Sequence, residues 1–171
     1  MLNRTEEILE PYKSKYVDDE GKDLMTIKTM PIHQILTLAS CAELEGAGEE
    51  NRREIVGVFI NRLQSGMNMG SDPSTYYAIK VDISERDLTM SEIMKENPYN
   101  TRGPNMIGKV PIGPICAPSK ESIDATFNYK VTKNLFFASD KNGKMYFSET
   151  EAEHDEKIEE LIDSGLWYIH E

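Results

Sequence analysis

Two glutamates, Glu43 and Glu45, close an apolar run that begins at Pro31, and they are the residues of this chain best placed for acid–base chemistry. Ile32, Ile35, Leu36, Ala39 and Ala42 recur at three- and four-residue spacing, which predicts a helix with one buried stripe. At about 100° per residue, Glu43 falls near the middle of that stripe and Glu45 at its edge, near Leu38. A carboxyl group at such an edge is partly desolvated, which disfavours its charged form and raises its pKa. That is the property a general acid working near neutral pH requires. The same pattern also fits a buried, hydrogen-bonded Glu43 and a solvated Glu45, and periodicity does not choose between the two.

The elements that must position these carboxylates follow from capping and breaking residues. Gly46-Ala47-Gly48 ends the first core helix. A second helix is predicted from about Glu50 to Ser65, with Val56, Phe59, Ile60 and Leu63 inward, Asn61 and Arg62 directed away, and Gly66 closing it. Ser71-Asp72-Pro73 reads as a helix start with Asp72 as cap and Pro73 as first helical residue. A short helix near Ser91–Lys95 precedes a Pro-, Gly- and Asn-dense stretch from Asn97 to Pro118. So long an irregular segment inside a compact domain is usually functional. Another helix is expected over Lys120–Phe127. Strands at Leu135–Ala138 and Lys144–Phe147 are joined by Asn142-Gly143, a positive-φ pair suited to a tight hairpin. The last helix starts near Ser148 or Thr150, where Thr150 and Glu153 fit a capping box, and Gly165 ends it. Upstream, Asn3–Tyr16 is a polar helix candidate and Asp18–Asp23 a turn. The expected fold class is therefore α+β, a mostly helical single domain with a small antiparallel β element, the hairpin at about 135–147. Residues 1–30 form an N-terminal helical or linker segment and 31–171 the main domain.

Composition narrows the function. The 171 residues carry 19 basic against 30 acidic side chains, a net charge of −11. That disfavours a nucleic-acid partner, which needs a basic footprint, and contact with an anionic membrane surface. Cys41 and Cys116 make no disulfide framework, and with His33 and His154 they lack the spacing of a metal site, so no metal is expected. The N-terminus has no signal-peptide core, and no apolar run approaches the roughly 20 residues that cross a bilayer.

Six blocks in order carry more information than any one of them. They are LASCAELE (38–45), VFINRLQSGM (58–67), SDPSTYY (71–77), YNT (99–101), VPIGPI (110–115) and the segment from LFFASD (135–140) to SETEAEHD (148–155). In order and spacing they resemble the catalytic domain of the YceG-like endolytic murein transglycosylases, over about Pro31–Leu161. The resemblance implies that Glu45, the second acid of the E-x-E block, is the catalytic residue, with Glu43 supporting it. It further implies substrate-binding roles for Asn61, Arg62, Asp72, Thr75, Tyr77, Tyr99, Asn100, Thr101 and His154. Each has a plainer alternative: a helix cap for Asp72, an interelement ion pair for Arg62, a hydrogen bond holding the hairpin for His154. Arg102-Gly103, Ile112, Cys116 and Ser119 depart from the family pattern.

The implied reaction cleaves the bond between N-acetylmuramic acid and N-acetylglucosamine within a peptidoglycan strand and leaves a 1,6-anhydro end. One carboxyl group, used first as acid and then as base, suffices, because the substrate's 2-acetamido oxygen can serve as internal nucleophile, so the implied mechanism needs neither metal nor cofactor. The implied partners are glycan strands and cell-wall synthases, and the implied location is the extracytoplasmic face of the bacterial membrane, reached through an anchor on a longer parent chain. A non-catalytic glycan- or synthase-binding module of the same shape is the alternative, and an ordinary hydrolase a third reading.

Overall fold

The protein is described from a computed structural model covering residues 2–15 and 30–167. The turn expected at Asp18–Asp23 lies outside the described residues. Seven helices and one hairpin are seen among them: α1 (Leu2–Leu9), α2 (Ile32–Glu45), α3 (Glu49–Gln64), α4 (Asp72–Ile79), α5 (Met90–Ile93), α6 (Lys120–Phe127), β1 (Phe136–Ser139), β2 (Met145–Ser148) and α7 (Glu151–Asp163). This is the expected α+β architecture.

Helix α2 is the centre of the molecule. It is covered by α3, α4 and α6, and from Thr37 to Ala42 every side chain is buried. The single stripe expected from periodicity is therefore too narrow, since Thr37, Ser40 and Cys41 are as buried as Ile35 and Leu38. Small and singly hydroxylated residues allow neighbours to approach from several sides, while Thr37 and Ser40 satisfy their hydroxyls on carbonyls of their own helix. Around α2 gather Ile55, Val56, Phe59 and Leu63 of α3 and Ile123 and Phe127 of α6. Leu9 joins this core, and a 3₁₀ turn after α1 brings Tyr12 flat against Phe127, ring centroids 4.1 Å apart. The Tyr12 hydroxyl donates to Asp124, and burial, then that carboxylate, raises the phenol to about 12.

The chain between α5 and α6 has no regular element, as its composition predicts, but it is tied down by side chains. Ile115 N–H donates to Ser40 Oγ at 3.0 Å and the Cys116 thiol to the Ser40 carbonyl at 3.3 Å, laying this segment along α2. His33 Nε2 donates to the Ile112 carbonyl at 2.9 Å.

Strands β1 and β2 pair antiparallel, Phe136 opposite Ser148 and Ser139 opposite Met145, and α7 packs on both. The connection is not the expected two-residue turn. Asp140 N–H donates to Lys144 O at 2.9 Å, leaving residues 141–143 as the loop, with Gly143 alone at positive φ (79°). Asp140 favours the longer loop by accepting from the N–H groups of Asn142 and Lys144. Helix α7 starts with the capping box expected of Thr150 and Glu153.

Candidate active site

Glu45 is the last residue of α2, and Gly46 leaves the helix in extended conformation immediately after it. The carboxyl therefore projects from a helix end onto the start of α4, where Ser71 is the cap and Asp72 the first helical residue. This start is one residue earlier than the sequence suggests. Asp72 is freed from capping, and its carboxylate pairs instead with the guanidinium of Arg102.

A cavity of about 260 Å³ opens over Glu45, walled by Arg62 of α3, Asp72, Arg102, Phe136 and Phe137 of β1, and Glu151, His154 and Asp155 of α7. It continues into a wider groove of about 660 Å³ that shares Glu45, Asp72, Arg102, Phe137 and His154 and runs on past Tyr76, Ile83 and Trp167. The cleft thus lies between the helical core on one side and the hairpin with α7 on the other.

Glu45 is half-buried as a whole, but its Oε1 is shut off from solvent and completes no hydrogen bond among the described residues. Burial raises its pKa from 4.5 to about 7, and the Asp72 carboxylate adds to this. The Ser71 hydroxyl, Arg102 and the Asp72 backbone N–H work the other way. Cys41, one turn earlier, is fully buried, and burial with the nearby Glu45 keeps its thiol protonated.

Glu43 is directed to the opposite side of α2. Its Oε2 accepts from Ser119 N–H (3.0 Å), Ser119 Oγ (2.6 Å) and Ser122 Oγ, and its Oε1 pairs with Arg52 at 3.0 Å. Burial works against the charge, but the bonds from Ser119 and Ser122, then Arg52, hold the carboxyl below its ordinary value. Glu43 is thereby committed to fixing the start of α6, away from the cleft.

The remaining sequence-selected residues divide. Arg62 and His154 reach the cleft from either side of Phe136: the guanidinium stands 5.3 Å from its ring centroid and the imidazole ring 5.4 Å. Arg62 makes neither a surface nor an interelement ion pair among the described residues. It donates to the carbonyls of Leu135 (2.5 Å) and Met69 (3.0 Å). His154 braces the hairpin by stacking, not by the expected hydrogen bond, and burial lowers its pKa. Asn61 points away from the cleft and donates to the carbonyls of Thr132 (3.0 Å) and Asn134 (2.8 Å).

Thr75, Asn100 and Thr101 are 0% exposed and have no surface for a glycan. Asn100 Nδ2 is shared among the carbonyls of Glu92, Ile93 and Lys95, its Oδ1 accepts from Thr75 Oγ1 at 2.8 Å, and Thr101 Oγ1 lies 2.7 Å from Ser74 Oγ. These three residues form the buried brace between α4 and the irregular segment, which corrects the expectation that they line the substrate path. Tyr77 and Tyr99 do reach the surface, tilted against each other with centroids 4.9 Å apart, along a groove of about 740 Å³ beyond Tyr76. Sequence reasoning missed Ser71 and Phe136 and treated Arg102 as a departure only. The sequence marks a strand at Leu135–Ala138, but nothing in it says that Phe136 and Phe137 both reach the wall of a cavity. Among the described residues no cluster of His, Cys, Asp or Glu could hold a metal ion.

Fold and cleft together describe a mostly helical α+β domain in which the Glu45 carboxyl, partly desolvated, faces a cavity between the helical core and the hairpin with α7. The chain belongs to the YceG-like family, whose profile matches residues 1–160. It is 33% identical over 143 residues to an endolytic murein transglycosylase of Streptococcus pneumoniae D39, covering 81% of this chain and 25% of that protein. It is 31% identical over 167 residues to an endolytic murein transglycosylase of Bacillus subtilis 168, covering 96% of this chain and 42% of that protein. A 2.6 Å crystal structure of a yceG-like protein from Listeria monocytogenes superposes with a TM-score of 0.74 at 30% identity, over 92% of this chain and 47% of that one. This chain thus spans less than half the length of each of these relatives. No helix among the described residues is long and apolar enough to cross a membrane.

Proposed function

We propose that this domain is an endolytic lytic transglycosylase that cuts within peptidoglycan glycan strands, with Glu45 as its acid–base residue. The observation that carries the reading is a carboxyl with one oxygen sealed from solvent and a pKa raised to about 7, at the floor of a cleft open at its sides. Near neutral pH such a group is present in both forms, so it can give a proton and take one back within a single turnover. Neutral Glu45 protonates the glycosidic oxygen between N-acetylmuramic acid and N-acetylglucosamine, and the C1–O bond breaks with its electron pair going to the leaving oxygen. The 2-acetamido oxygen supports C1 as it becomes electron-poor. The resulting carboxylate then takes the proton of the muramic 6-hydroxyl, whose oxygen bonds to C1 and closes the 1,6-anhydro ring. Atoms balance without water.

Asp72, Arg62, Arg102 and His154 are the polar groups of the cleft that would meet sugar, and Phe136 and Phe137 supply apolar faces. Tyr77 and Tyr99 would extend contact with the strand beyond the cleft. Such a substrate places the working domain outside the cytoplasmic membrane, beside the synthases that make the strand.

The test is turnover of uncrosslinked glycan strands by the purified domain, read by mass spectrometry. Anhydro-muramic ends from wild type and none from Glu45→Gln support the reading. Products heavier by one water identify a hydrolase, and retention of strands without any cleavage identifies a binding module; either result sinks it.

A further inference from the structure

Two buried oxygens at the cleft floor stand without partners among the described residues, Oε1 of Glu45 and Oγ of Ser71. Buried polar atoms are nearly always paired, so each such exception asks for an explanation. Both lie where the end of α2 meets the start of α4, and the Ser71 hydroxyl works to lower the Glu45 pKa without completing a hydrogen bond.

Ser71 occupies the cap position of α4, where a serine normally turns its oxygen back to accept from the first turn of the helix. Its side chain makes no such bond. Its backbone meanwhile is held on both sides: the N–H donates to Thr101 Oγ1 at 2.8 Å, and the carbonyl accepts from Ser74 Oγ at 2.7 Å and Thr101 Oγ1 at 3.3 Å. With the backbone fixed, the hydroxyl is the one atom of this fully buried residue left to choose a partner. A hydroxyl is one donor and two acceptor sites on a free rotor.

We infer that Ser71 is the positioning residue of Glu45, its hydroxyl donating to the carboxylate and accepting from the neutral acid, so that the carboxyl keeps one orientation through both protonation states. The inference rests on the reading of Glu45 as a group used first as acid and then as base. A carboxylate or ammonium at position 71 would serve only one of the two states. A hydrogen bond to an ionised oxygen is the stronger of the two, so the net effect of Ser71 favours the carboxylate. The other groups that face Glu45 are Asp72 on α4, Arg102 in the irregular segment, Arg62 on α3, and His154 on α7, whose Glu151 and Asp155 line the same cavity; the neighbouring Cys41 thiol is neutral. Of these only the Cys41 thiol also feels the Ser71 hydroxyl, and burial keeps that thiol neutral, so no charge facing Glu45 changes when Ser71 is replaced.

The experiment is a carboxyl-carbon NMR titration of Glu45 in wild type, Ser71→Ala and Ser71→Thr, with thermal melts of each and pH–rate profiles on glycan strands. Ser71→Ala is expected to raise the Glu45 midpoint by about one pH unit, while Ser71→Thr, which keeps the hydroxyl, restores it. Where the extra methyl of threonine lowers the melt, Ser71→Cys serves as the second variant. It keeps the volume with a weak donor and should titrate like alanine. An unmoved midpoint in folded Ser71→Ala overturns the inference, because a purely structural serine would change the melt alone. The titration needs no turnover: a shifted midpoint without anhydro product sinks the transglycosylase reading and leaves the Ser71–Glu45 contact standing, and normal product with an unmoved midpoint does the reverse.

Discussion

Glu43 and Glu45 stand two residues apart at the end of one helix, and their surroundings drive them in opposite directions. Glu43 accepts three bonds from Ser119 and Ser122 and pairs with Arg52, so it stays ionised below the ordinary carboxyl range. Glu45 has a sealed oxygen and the Asp72 carboxylate nearby, so it holds its proton to about pH 7. Two residues along a helix is a rotation of about 200°, enough to place identical side chains in unlike environments. Separation of two carboxyl pKa values by environment is how acid–base roles are divided in general.

The first prediction concerns pH. The acid step needs neutral Glu45, so kcat/KM on glycan strands should fall about tenfold per pH unit once the pH passes about 7. A profile flat to pH 9 would remove Glu45 from the acid role.

The same group should cost stability. Its folded pKa lies above the unfolded value of 4.5, so the folded state binds more protons between pH 4.5 and about 7, and stability falls as pH rises through that window. Glu45→Gln is then expected to be neutral near pH 4 and to stabilise at pH 8 by roughly 1–3 kcal/mol. Melts of the two proteins at both pH values check this.

Glu43 has the opposite linkage. Its folded pKa lies below 4.5, so its contribution is present above pH 4.5 and is lost as pH falls through the folded value. Glu43→Ala should lower stability at pH 7 by about 2–3 kcal/mol, because Arg52 and the two serines lose a half-buried partner. The variant's melt and wild type's should converge in acid.

Arg102 opposes the raised pKa of Glu45 from a partly exposed position, 39% by side chain. Arg102→Ala should move the alkaline limb of the rate profile upward by a few tenths of a unit, since solvent screens a charge in that position. A downward shift would mean that Arg102 acts on the site by some route other than its charge.

Much of the fold was legible because its signals are local. Thr150 and Glu153 announce α7 through a capping box, Lys120–Phe127 is a helix with the predicted bounds, and the Pro- and Gly-dense stretch after Asn97 stays irregular. The misplaced details depend on tertiary partners. Asp72 leaves the cap because Arg102 takes its carboxylate, and the hairpin loop lengthens because Asp140 Oδ1 accepts from two amides. Within the site, helix geometry set Glu45 at the edge of the buried stripe without saying whether its carboxyl would be desolvated. The burial of Asn100 and Thr101 was not legible, because an irregular segment has no period from which an inward side can be read. Ser71 was invisible for a related reason: a serine before Asp-Pro reads as punctuation until its neighbours are known.

Helix α3 holds the segment that leads into β1 largely through that segment's main-chain oxygens, with Glu54 adding side-chain pairs to Lys130 and Asn134. Arg53 donates to the Asn128 carbonyl, Asn61 to those of Thr132 and Asn134, and Arg62 to that of Leu135, while the Lys130 N–H donates to Arg53 O. Gly57 is the residue that lets the two backbones meet, since a Cβ there would stand 2.3 Å from Lys130 O. Carbonyls come with every amino acid, so evolution is free to rewrite the side chains of this strap, as the 84% exposure of Val131 illustrates, without moving the hairpin. Drift should therefore accumulate at Val131 and Lys133 and be refused at Gly57, Asn61 and Arg62, and a library randomised at Val131 and Lys133 should retain its fold where Gly57→Ala does not.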